Sequence, residues 1–117
     1  VALLLTSTQR TKTLLFSEDP EVQFESASAK PAAPVWLDAD ACLPSPGATR
    51  VAVRALSWLQ WTECEADKDP GRQMLAVVRA GVQSVDGGDP AAFLADPLPV
   101  LVAPLYQAIL GLTWGNS

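Results

Sequence analysis

Apolar and polar residues are unevenly spread along this chain, and the second half carries the clearest pattern. Met74, Leu75, Val77, Val78, Val82 and Val85 recur at three- and four-residue spacing, which predicts one face of a helix running from Asp69-Pro70 to about Val85. Asp69 supplies a cap, Pro70 suits the first helical position, and Gly87 within Asp86-Gly87-Gly88-Asp89 ends the pattern. Asp89-Pro90 and Asp96-Pro97 repeat the start signal, with a short helical turn expected at Ala91–Ala95. From Pro97 to Leu112 no residue is charged. Pro99 and Pro104 interrupt this run, so a regular final helix is expected only from Pro104.

The first half reads as strands and loops. Thr49-Arg50-Val51-Ala52-Val53-Arg54-Ala55 alternates, with Val51 and Val53 on one face, and is the clearest strand. Glu21-Val22-Gln23-Phe24-Glu25 alternates too, and its pairing with 49–55 would give a small antiparallel sheet. Val35 to Leu37 is a candidate short strand, and Thr6 to Phe16 a candidate short helix. The serine-, alanine- and proline-rich stretch 27–48 has a linker's composition, and Leu43-Pro44-Ser45-Pro46-Gly47 is a loop. Ser57-Trp58-Leu59-Gln60 is a capping box that starts a helix from Trp58 to Lys68. The expected fold is α+β in one small domain, residues 1–117. Its helical part, about 57–114, packs with a small sheet or hairpin from the N-terminal half.

Composition narrows the chemistry. With 13 acidic against 8 basic residues the formal net charge is −5, and the arginines are scattered. That argues against tracking nucleic-acid phosphates or anionic membranes. Histidine is absent, which removes the commonest general base and metal ligand. Cys42 and Cys64 lie outside any CxxC spacing, so no metal site is expected; count alone allows them to be bonded or free. Asp38-Ala39-Asp40 and the series Glu63, Glu65, Asp67, Asp69 read as turn, cap and solvated acids rather than as a magnesium or acid–base site. Ser57 and Ser84 have no activating partner. No catalytic residue, cofactor or metal is therefore expected. Val1–Leu5 is too short for a leader, and basic residues follow it rather than precede it. Leu98–Trp114 is broken by its prolines and by Gln107, so the chain reads as soluble and cytoplasmic.

The remaining signal is apolar and aromatic. Trp58, Trp61, Leu101, Leu105, Tyr106, Ile109, Leu112 and Trp114 are residue types that dominate protein interfaces, and they are the candidate partner-binding set. The alternative, that the C-terminal run forms the chain's own core, stays open on sequence.

The order of segments carries a resemblance. Thr49–Ser57 reads Thr-Arg-Val-Ala-Val-Arg-Ala-Leu-Ser and leads into the acid-containing helix Trp58–Asp67. Arg72–Val82, the Val85-Asp86-Gly87-Gly88 turn and a final apolar helix follow. This resembles the tail assembly chaperones of long-tailed bacteriophages over residues 49–117, with an echo in Leu5-Thr6 to Gln9. Segment 27–48 and the aromatic Trp58–Trp61 stretch depart from the family's pattern. The resemblance implies a non-enzymatic protein of the host cytoplasm. It would bind tape-measure and tail-tube proteins during virion morphogenesis, with Thr113–Ser117 as the end of the shorter of two frameshift products. Homo-oligomers are allowed. The rival reading is a permanent structural or head–tail adaptor protein of the virion, and a small enzyme using Asp38, Asp40 or Glu63 is the third.

Overall fold

The computed structural model describes residues 10–115. The Val1–Leu5 and Leu5–Gln9 readings, and the last two residues of Thr113–Ser117, lie outside the described residues. Four strands, β1 (Thr11–Phe16), β2 (Trp36–Asp38), β3 (Val51–Arg54) and β4 (Val82–Val85), form one antiparallel sheet in the order β2-β1-β3-β4. Four helices, α1 (Trp58–Glu65), α2 (Pro70–Gly81), α3 (Ala91–Ala95) and α4 (Pro99–Trp114), lie mostly in the C-terminal half. This is an α+β fold, as the sequence suggests, but its sheet is assembled differently.

The first difference is β1. Thr11–Phe16 is a central strand rather than the end of a helix, pairing Leu14 with Val51 on one side and Phe16 with Trp36 on the other. Leu14, Leu15 and Phe16 are all buried because both faces of the sheet are covered at that end. Leu14 joins the main core with Val51, Val53, Val78, Leu105 and Ile109. Leu15 joins a smaller cluster with Val22 and Ala48 on loops. A short apolar run buried on both faces has no period to separate it from a helix.

The second difference is 21–25, which is not a strand. Its alternation is real, since Val22 is buried and Phe24 half-buried against the small cluster. Its amides are satisfied otherwise. The Asp19 carboxylate accepts from Glu21 N, the Asp19 carbonyl from Val22 N and the Ser45 hydroxyl from Gln23 N. Segment 27–48 is mostly irregular but contributes β2 at the sheet edge, held by Ser17 N donating to Val35 O and Val35 N to Ser17 Oγ.

The third difference lies after α2. Asp69 caps this helix by accepting from Arg72 N, and Pro70 occupies its first turn, but it ends at Gly81 rather than Val85. Val82–Val85 crosses to the sheet. Val85 faces Val51 and Ser84 faces Ala52, but Val82 faces Val53, so Gln83 is an extra residue in the ladder. This bulge returns both valines to the core side of the sheet although they are three residues apart. A three-residue spacing that imitates a helix is thus produced by a bulged strand. Asp86 and Gly87 both have positive φ, 52° and 78°, in a tight turn of the I′ kind, closed by Gly88 N donating to Val85 O at 2.9 Å. Gly87 therefore turns a hairpin instead of stopping a helix.

Finally, α4 begins at Pro99, five residues before the expected start at Pro104. Leu98 is its cap residue and Leu101 N bonds back to Leu98 O, closing the first turn. Pro104 forfeits one bond, to the carbonyl of Val100 at the exposed entrance of the helix, where the loss is least costly. α1 starts at the expected capping box, with Gln60 N donating to Ser57 Oγ and Ser57 N to Gln60 Oε1, and runs to Glu65 rather than Lys68. α4 packs along α2 and over β3 and β2, which places the main core between helices and sheet.

Candidate protein-binding surface

Two of the expected interface residues, Trp58 and Trp114, stand on the surface, and Trp61 joins them. Trp58 opens α1 and is 72% exposed; Leu59 beside it is 66% exposed. Trp61 lies one turn further along the same face of α1. Its ring meets Trp114 edge-to-face at a centroid separation of 5.4 Å and an interplanar angle of 88°. Trp114 ends α4 and is 50% exposed. Local geometry fixes this meeting: the capping box sets where α1 starts, and Leu56 N donates to Thr113 Oγ1, tying that start to the last turn of α4. Exposed Trp114 braced by Trp61, with exposed Trp58 one turn away on α1, forms the kind of apolar patch that marks a contact site.

The other five candidates fall elsewhere. Leu105 and Ile109 are fully buried and Leu112 nearly so, all in the main core, so they leave the interface set. Their spacing of four and three residues is the inward stripe of α4. Leu101 and Tyr106 are half-buried on α4; the Leu101 carbonyl accepts from the Trp36 indole and Tyr106 packs against the core. Leu98 and Val100, 64% and 54% exposed at the start of α4, and Leu59 lie outside the expected set. Their signal was available: each is a large apolar residue next to a helix start.

The polar candidates have structural roles. Asp38 Oδ1 accepts from Asp40 N in a short helical turn, and its Oδ2 lies 4.0 Å from Lys12 Nζ. Asp67 closes on Arg72 at 2.9 Å, along a groove of about 600 Å³ between α1 and α2 that Glu63 and Arg79 also line. The Asp67 carboxyl is held below its ordinary pKa chiefly by the Asp69 amide, against an opposing desolvation, with the Arg72 hydrogen bond and charge adding to the lowering. Glu63 and Glu65 are exposed, and Asp69 is the α2 cap. Cys42 and Cys64 are free thiols. Burial pushes both pKa values up, helped by Asp38 and Glu63 respectively, so neither is poised as a thiolate nucleophile. Among the described residues no group of three or more Cys, Asp or Glu side chains is placed to hold a metal ion, and no helix is long and apolar enough to cross a membrane. Comparison with protein-family models, with curated proteins and with solved structures gives no match.

Proposed function

We propose that this chain is a non-enzymatic assembly factor that binds other polypeptides through the Trp58–Trp61–Trp114 patch. The specific role is that of a tail assembly chaperone of a long-tailed bacteriophage, with tape-measure and tail-tube proteins as clients in the host cytoplasm. The observation that carries the binding role is the exposure of Trp58 and Trp114 around the edge-to-face Trp61–Trp114 pair. Exposed tryptophan is the most enriched hot-spot residue in interfaces, and a net charge of −5 keeps such a surface from indiscriminate aggregation. The chaperone role rests on the segment order of residues 49–117.

The test is co-expression with the product of the neighbouring downstream gene, which should encode a long helical tape-measure protein. The two should co-purify. Trp58→Ser should weaken the complex by at least about 2 kcal/mol, some thirtyfold in Kd, with an unchanged melting temperature. A complex insensitive to Trp58→Ser removes the patch from the reading. Retention of the chain in finished particles replaces the chaperone by a permanent virion component.

A further inference from the structure

Two groups of large exposed apolar side chains sit at opposite ends of α4. Trp114 closes the helix beside Trp61, on the patch that includes Trp58 and Leu59; Leu98 caps the other end, followed by Val100. Sixteen helical residues separate them by about 24 Å. The two ends differ in charge: Arg10 and Arg54, whose guanidinium donates to Gln60 Oε1 and Ala55 O, lie at the tryptophan end, and at the leucine end Asp96 is joined by Arg79, whose guanidinium donates to Leu94 O. At the tryptophan end the Arg10 guanidinium lies against Gly115, about 3.5 Å from where a Cβ on that glycine would be. Arg10 is also anchored to the sheet by its carbonyl, which accepts from Ala55 N. At the leucine end Asp96 is exposed, two residues before Leu98. Among the described residues neither the Arg10 guanidinium nor the Asp96 carboxylate has a hydrogen-bond or ion-pair partner.

We propose that the tryptophan patch takes the α4 start of a second copy of this chain, with Leu98 and Val100 against Trp58 and Trp114 and Asp96 against Arg10. The inference rests on the reading of that patch as a polypeptide-docking surface and gives it a second occupant, which a bound client would displace. Apolar knobs with an acid at one end and an aromatic patch with a cation at the other are complementary to each other and not to themselves. The contact is therefore head-to-tail, and each copy that docks leaves one free patch and one free α4 start. Such a heterologous contact extends into rings or filaments and does not stop at a dimer. The charge pair sets the direction: patch against patch would bring arginine to arginine, and start against start aspartate to aspartate.

The experiment is sedimentation velocity on the full chain over a wide concentration range, alone and in mixtures. Wild type should grow beyond the dimer as concentration rises and retreat in high salt. Trp58→Ser and Leu98→Ser each alter an exposed residue, so both should keep the wild-type circular dichroism and melting temperature, and each alone should be monomeric. Mixed, they should form a heterodimer and nothing larger, because only one intact patch and one intact start remain per pair. Arg10→Glu and Asp96→Arg should likewise each be monomeric alone, and their mixture should regain assembly. A wild type that stays monomeric at all concentrations overturns the inference. So does loss of association in Trp58→Ser but not in Leu98→Ser, or a mixture that fails to dimerise. A monomeric wild type that still captures the downstream gene product through Trp58 leaves the proposed function standing and removes this inference alone. Concentration-dependent oligomers without client capture do the reverse.

Discussion

Gly81 is the last residue of α2, buried where that helix meets α4, and replacing it with alanine measures how tightly the two are fitted. A Cβ at this position would lie 2.7 Å from Ile109 Cδ1, 2.9 Å from Cγ2 and 3.1 Å from Cγ1. Carbon pairs prefer separations of about 3.5–4.0 Å, so all three contacts are repulsive. Ile109 is fully buried, between Leu105 and Leu112 on the inward stripe of α4, and has no open space to retreat into. Alanine gains at most about 1 kcal/mol of helix propensity over glycine. Overpacking a full core costs about 1–3 kcal/mol. The clash wins, and Gly81→Ala should destabilise the protein by about 1–2 kcal/mol, read by urea denaturation followed by circular dichroism. At this chain length that lowers the melting temperature by roughly 3–8 °C. Ile109→Val removes the nearest atom, Cδ1, at a cost of about 1 kcal/mol on its own. In the Gly81→Ala background its cost should shrink by at least about 0.5 kcal/mol, the mark of two residues in direct contact. A Gly81→Ala protein as stable as wild type, or a strictly additive double variant, would refute the close approach of α2 to α4.

Ser57→Ala breaks the capping box at the start of α1 and should cost about 1 kcal/mol in urea denaturation, whereas Ser57→Thr should keep most of it. Gly87→Ala meets no atom within 4 Å but forces alanine to a φ of 78°, so it should cost about 1–2 kcal/mol through backbone strain alone, with Gly87→Asn losing less. Leu105→Asp places a carboxylate at a fully buried core position and should abolish the near-ultraviolet circular dichroism, while Trp58→Ser leaves stability within about 0.5 kcal/mol. Asp67 has a lowered carboxyl pKa in the folded protein, so its contribution is present above the ordinary carboxylate value and is lost as pH falls through the lowered one. Stability profiles of wild type and Asp67→Asn should therefore separate at neutral pH and converge under acid; parallel profiles would contradict the Asp69 and Arg72 contacts.

Local chemistry was legible in the sequence wherever one residue type answers one backbone demand. Ser57 with Gln60, and Asp69 with Pro70, fix the starts of α1 and α2 where the sequence puts them, because free amides at a helix start need an oxygen and proline needs none. Val51 and Val53 reveal β3 because a strand buried on one face must alternate. The failures share a cause in tertiary context. Leu14 is buried against α2 and α4, Leu15 against loop residues Val22 and Ala48, and Phe16 beside Trp36, so no single face sets their period. Val22 and Phe24 alternate on a loop whose amides are satisfied by Asp19 and Ser45 instead of a neighbouring strand. Val82 and Val85 keep helical spacing in a strand because one bulged residue restores the face that the spacing would otherwise lose.

The candidate surface was half legible for a further reason, which lies in how α4 hides its two faces. An ordinary surface helix separates them by charge. Here the buried stripe Leu105, Ile109, Leu112 alternates with exposed Ala103 and Gln107 and with half-buried Leu101, Val102, Tyr106, Ala108, Leu110 and Gly111. The faces therefore barely differ in hydropathy, and the whole run reads as one sticky element. Once the stripe is assigned to the core, the large apolar residues in the middle of the helix, Val102, Tyr106 and Leu110, are half-buried, and the fully outward positions there are Ala103 and Gln107. What remains large and exposed is confined to its ends, Leu98 and Val100 at one and Trp114 at the other. The large exposed apolar groups of α4 thus lie at its two tips, the places that the proposed head-to-tail contact would use.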